Sequence, residues 1–115
     1  MRDIDKNVYE ALVRFNNFKS GGTEVFNSID TGRQVYLHGS KVYWIDLNDD
    51  VFFCFRGYDT NVTRARINAG LALSNCKIVK SKGNNYILLS NGDKQEIDIN
   101  KEYSLSALLN IKGSK

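Results

Sequence analysis

Between Arg56 and Lys82 the chain carries six basic residues, Arg56, Arg64, Arg66, Lys77, Lys80 and Lys82, against the single acid Asp59. A local excess of that kind attracts phosphate or an acidic partner. Within it, residues 57–68 mark a joint where an apolar strand hands over to a helix. Thr60 is the predicted N-cap, its hydroxyl accepting from a first-turn amide, and Arg64 and Arg66 follow one turn in, on different faces. A helix N-terminus offers unpaired amides and a partial positive charge, so Thr60, Thr63, Arg64 and Arg66 at one end would satisfy a phosphate. The competing reading has Thr60 capping, Thr63 packing and both arginines paired with surface carboxylates. Tyr36, Tyr43 and Phe52 are the aromatic candidates. On a sheet face they supply base-stacking platforms or a protein-binding surface, although burial is the commoner fate of strand aromatics.

Other reactive residues are isolated. His38 is the only histidine, with no carboxylate, cysteine or second histidine at ligand or general-base spacing beside it. It reads as the end of a hairpin. Asp46, Asn48, Asp49 and Asp50 have oxygen ligands for a divalent cation but lack the glycine and closing glutamate of a calcium loop, so a solvated turn is the better reading. Cys54 and Cys76 stand in apolar contexts without a Cys-x-x-Cys spacing and are expected to be buried, reduced thiols. No nucleophile elbow or phosphate cradle appears. The sequence therefore names no catalytic residue, metal ligand or cofactor.

The elements that must position the basic joint follow from periodicity. Ile4, Val8, Ala11, Leu12 and Phe15 fall at three-and-four spacing, predicting an amphipathic helix over residues 3–18, with Asp3 as N-cap and residues 19–22 as the stop. From Thr23 the period becomes two, and strands are expected at 23–29, 33–38, 41–47 and 51–56 as an antiparallel meander. Taking Gly39-Ser40 as a two-residue turn sets Leu37 opposite Val42 and Val35 opposite Trp44 on the core face. Tyr36 then pairs with Tyr43 on the amphipathic face. Strand 51–56 is apolar on both sides and reads as central.

A helix at 61–73 presents Thr63, Ile67, Gly70 and Leu71 as its packing stripe, with Gly70 marking a close approach to the sheet. Strands at 76–82, 85–90 and 94–99 follow, joined by Gly83-Asn84 and Asn91-Gly92, and residues 103–111 close the chain as a short helix or turn. The expected class is α+β in a single domain, residues 1–115, with one or two sheets left open.

Composition agrees. With 115 residues, 42% hydrophobic, 25% charged and a net charge of +3, the chain can bury a core without metal or disulfide staples. No apolar run approaches the roughly 20 residues of a membrane span, and Met1 to Lys6 lacks the pattern of a signal peptide, so a cytosolic protein is expected.

Three stretches carry a resemblance: Gly-Gly-Thr-Glu-Val at 21–25, Val-Tyr-Leu-His-Gly at 35–39 and Gly-Tyr-Asp-Thr-Asn-Val-Thr-Arg-Ala-Arg-Ile-Asn at 57–68. Together they resemble a set of small tailed-bacteriophage proteins over roughly residues 20 to 90. Those proteins usually have Trp at the position of Tyr58 and often Asn at that of Ser40. The resemblance implies a phage origin and a place in the host bacterial cytoplasm, and carries no activity with it. Small phage proteins often act on host machinery or defence by binding, anti-CRISPR and anti-restriction inhibitors among them, which favours binding over catalysis by analogy.

The leading expectation is a non-enzymatic protein contacting nucleic acid, or a nucleic-acid-handling host complex, through Arg56, Arg64, Arg66, Lys77, Lys80 and Lys82. The alternative is a protein–protein inhibitor or virion component binding through Tyr36, Tyr43 and Phe52. An enzyme, such as a metal-independent nuclease using His38 with Arg64, comes third.

Overall fold

The computed structural model describes residues 1–113. Helix α1 (Asp3–Arg14) buries Val8, Ala11 and Leu12 from its apolar stripe. It stops earlier than its periodicity predicts, because Phe15 turns into the left-handed region at φ 59° and ends the hydrogen-bond ladder. Arg2, not Asp3, occupies the cap position, without a side-chain bond to the helix. The residues released from the helix form an additional strand, β1 (Phe18–Ser20), which pairs with β2 (Thr23–Ser28).

Strands β3 (Gly32–Leu37), β4 (Ser40–Ile45) and β5 (Val51–Phe53) continue the meander. After helix α2 (Asn61–Leu71) come β6 (Lys77–Ser81), β7 (Asn84–Leu88), β8 (Lys94–Ile97), β9 (Tyr103–Ser104) and α3 (Leu105–Gly113). The described residues form two sheets: a six-stranded one ordered β1-β2-β3-β4-β5-β9 and a three-stranded one ordered β6-β7-β8. The α+β class and antiparallel pairing are as the periodicity implied. The joining of the last strand to the first sheet is not visible in any local pattern.

The hairpin register differs from expectation by one residue. The turn residues are His38 and Gly39, at φ 51° and 83°, so Leu37 pairs with Ser40 and Tyr36 with Lys41. A type I′ turn needs positive φ at both central positions, and glycine serves as the second of them. The same holds at Lys82 and Gly83, with φ 53° and 85°, where Gly83-Asn84 was expected. A shift between Val35 and Tyr36 then leaves Val42 as the extra residue and sets Val35 opposite Tyr43 and Gln34 opposite Trp44. Tyr43, expected on the amphipathic face, is wholly buried, and Trp44, expected in the core, is half-buried on the opposite face.

Val25, Val35, Tyr43 and Phe53 form one inward row across the large sheet, all fully buried against α1 and α2. Helix α2 packs on β3 and β4, beside α1 and against β6. Gly70 makes the anticipated close approach, but to a side chain: a Cβ there would lie 2.5 Å from the Tyr43 ring, whose hydroxyl donates to the Gly70 carbonyl at 3.0 Å. Asn68 ties α2 to the edge of the small sheet, donating to the Ile78 carbonyl and accepting from its amide. Cys54 and Cys76 are free and buried.

Candidate functional site

At the strand-to-helix joint Thr60 caps α2, its Oγ1 accepting from the Thr63 amide at 3.0 Å. The arginines that follow turn inward. Arg66 donates from Nη1 to Asp5 Oδ1 at 2.7 Å and from Nε to Thr23 Oγ1 at 2.8 Å, tying α2 to α1 and β2. Arg64 donates to Asp59 and Asn85, both at 2.8 Å, and to Asn61 at 2.7 Å. Both arginines are buried, so the expected anion site at this helix end has no open guanidinium. His38 is not among the hydrogen-bond partners of Arg64.

Asp59 is the hub of the joint. Lys80 Nζ lies 2.9 Å from its Oδ2, and Asn85 Nδ2 donates to Oδ1 at 3.1 Å beside Arg64. Donation by Lys80 first, then Asn85 and Arg64, holds the carboxyl down to about 2 from its ordinary 3.8. A depressed carboxyl stabilises the fold above its unfolded pKa, and that contribution is lost as pH falls through about 4 towards 2. Solvent reaches this carboxylate and screens its partners, so the contribution is about 1 kcal/mol or less. Urea midpoints measured at pH 5, 3 and 2 should therefore fall more steeply for the wild type than for Asp59→Asn. Parallel profiles would mean the cluster does not form in solution.

The remaining basic candidates separate. Lys77 is exposed on the outer face of the small sheet, in one row with Leu88 and Lys94, and Lys82 is exposed at a hairpin turn. Tyr86, in the adjacent row, lies under the Lys94 ammonium at 4.6 Å. Arg56 goes elsewhere: its Nε donates to the Lys41 carbonyl at 2.8 Å, its Nη1 pairs with Glu102 at 3.0 Å, and its guanidinium lies 5.6 Å from the centre of the Trp44 ring.

That ring belongs to the large sheet's second face, opposite the helices. Phe26, Gln34, Trp44, Phe52 and Ser104 form one row across five strands, and Lys19, Glu24, Tyr36 and Lys41 form the next. Trp44 and Phe52 stack at 5.5 Å with planes 13° apart, and Lys41 Nζ sits 4.4 Å from the Trp44 ring centre. Tyr36 donates its hydroxyl to Gln34 Oε1 at 2.7 Å, and the Gln34 amide donates to Thr31, which fixes the centre of the face. Phe26 is 42% exposed at its rim.

Tyr36 and Phe52 are thus on one surface as expected, with Trp44 in the place assigned to Tyr43. Trp44 was missed because of the bulge at Val42, which moves it from the face of Val35 to the opposite one, and Lys41 and Phe26 were not singled out.

The acidic turn folds on itself: Asp46 Oδ1 accepts from the amides of Asn48 and Asp50. Among the described residues no group of three or more His, Cys, Asp or Glu side chains is placed to hold a metal ion, and no helix is long and apolar enough to cross a membrane.

No curated protein and no solved structure matches the chain. The phage origin implied by the three short stretches has a broader basis, since a family model matches residues 1–106, α1 and both sheets included. The chain belongs to the phage family described as Kyanoviridae Gp96 protein.

Proposed function

We propose that this phage protein is a non-enzymatic binding module whose open sheet face docks nucleic acid, with Trp44 and Phe52 as the stacking platform and Lys41 and Arg56 as its cations. The observation that carries the reading is the Trp44–Phe52 stack with both cations over the indole. Aromatic side chains on a sheet stack on any base, and neighbouring cations neutralise the backbone, which gives affinity with little sequence preference. Lys41 is on a flexible stem that can leave the ring for a phosphate when a base takes its place. Binding of this kind in an infected cell would act on host nucleic-acid machinery or on a defence system such as CRISPR.

The experiment is direct because Trp44 is the sole tryptophan. Titration with a single-stranded oligonucleotide at low salt should quench its fluorescence, and Phe52→Ala should weaken binding by about 1–3 kcal/mol. Lys41→Gln should make the slope of log affinity against log salt shallower by about 0.7, the share of one phosphate contact on a single strand. Absence of quenching and of binding at low salt would remove the nucleic-acid reading. The same aromatic face would then be assigned to a protein partner, as an inhibitor or virion component.

A further inference from the structure

At another part of the molecule α1 ends beside the β2–β3 turn and the β4–β5 loop, and the surface there has a different character. Phe15, Ile29 and Leu47 are 64%, 93% and 60% exposed and line a single cleft of about 400 Å³. A second cleft of about 500 Å³ shares Phe15, Arg33 and Asp49 with it, which makes the two one continuous depression. Exposed apolar surface gathered around a depression marks an interaction site more often than scattered single residues do.

Two of the residues around it have unusual backbones. Phe15 and Asp49 both have positive φ, at 59° and 65°. Glycine is the default residue at a helix end of this conformation, and a β-carbon there costs about 1 kcal/mol or more. A bulky aromatic held in it and left exposed gains no burial to offset that cost.

The charge is reversed relative to the whole protein. Asp30, Asp46, Asp49 and Asp50 lie in the two connections, on a chain whose net charge is +3. The opposing cation is Arg33, and it is committed: Nη1 donates to the Leu12 carbonyl at 2.6 Å, the guanidinium covers the Phe15 ring at 4.2 Å, and Nη2 lies 3.8 Å from Asp49.

We infer that this end docks a basic amphipathic segment of a protein partner, its apolar side chains entering the depression over Phe15 and its lysines or arginines facing Asp30 and Asp49. Charge complementarity selects that occupant, since a polyanion or an acidic segment would meet the carboxylates. The site is distinct from the aromatic sheet face and does not depend on nucleic-acid binding there.

The probe is a synthetic amphipathic peptide of leucine and lysine, with a leucine–glutamate peptide as its counterpart. Titrated against the full chain at low salt, the lysine peptide should bind and should shift the amide resonances of Phe15, Ile29 and Leu47 most. Ile29→Ser combined with Leu47→Ser should weaken it roughly tenfold or more, as loss of the central apolar contacts does. Asp30→Asn combined with Asp49→Asn should weaken it and flatten its salt dependence. These side chains are exposed, so unchanged melting curves are expected of both variants and check that the fold is intact. Equal binding of the glutamate peptide, or equal affinity of the variants, would overturn the inference. Self-association abolished by Ile29→Ser with Leu47→Ser, without peptide binding, would overturn it in favour of a second copy of the chain.

Discussion

Asp5→Ala should cost about 3–5 kcal/mol of stability, although it lies on a surface helix and removes only a short side chain. Asp5 and Arg66 are both buried, with side chains 6% and 7% exposed, and their 2.7 Å contact joins the first helix to the second across 61 residues of sequence. Removing the carboxylate leaves a guanidinium with Thr23 as its remaining side-chain hydrogen-bond partner in an enclosed site, and an uncompensated buried charge is far costlier than the net worth of the pair. Asp5→Ala combined with Arg66→Met should recover most of the loss, because it removes both charges and refills the volume. Denaturation midpoints for the two variants test this. A single substitution as stable as the wild type would show that the pair is solvated. The same geometry makes replacement of Arg64 and Arg66 by glutamine harmful to the fold.

These arginines explain what was and was not legible. Helix α1 could be read because one side faces water, so the apolar stripe Val8, Ala11 and Leu12 contrasts with its charged neighbours. Helix α2 is enclosed by α1, the large sheet and β6, and polar residues on several of its sides are internal anchors: Arg66 to Asp5, Arg64 to Asn85, Asn68 to Ile78. Periodicity assigns arginine to solvent because most arginines are there, and partners tens of residues away leave no local trace. The Thr60 cap was legible since its acceptor and donor are three residues apart. The aromatic face was half legible, since alternation shows that a strand has two faces but the bulge at Val42 decides which residues of β4 occupy them.

That decision has a measurable consequence at two adjacent aromatics. Tyr43→Ala should destabilise by about 3–5 kcal/mol, and Trp44→Ala by about 1 kcal/mol or less, because the first empties the centre of the core and the second trims an open face. Tyr43 is fully buried between Val35 and Phe53, its ring lies on Gly70, and its hydroxyl donates to the Gly70 carbonyl. Burial pushes its phenol well above the ordinary range, which favours the protonated, donating form. Had β4 no bulge at Val42, the order of the two effects would invert, since a one-residue slip exchanges the faces of the strand. Urea denaturation of both variants therefore measures the register itself. Oligonucleotide titration, read by anisotropy of a labelled strand, separates the roles further. Trp44→Ala should stay folded and lose binding by about 1–3 kcal/mol. A folded Trp44→Ala that binds like the wild type would leave the register intact and remove Trp44 from the docking face.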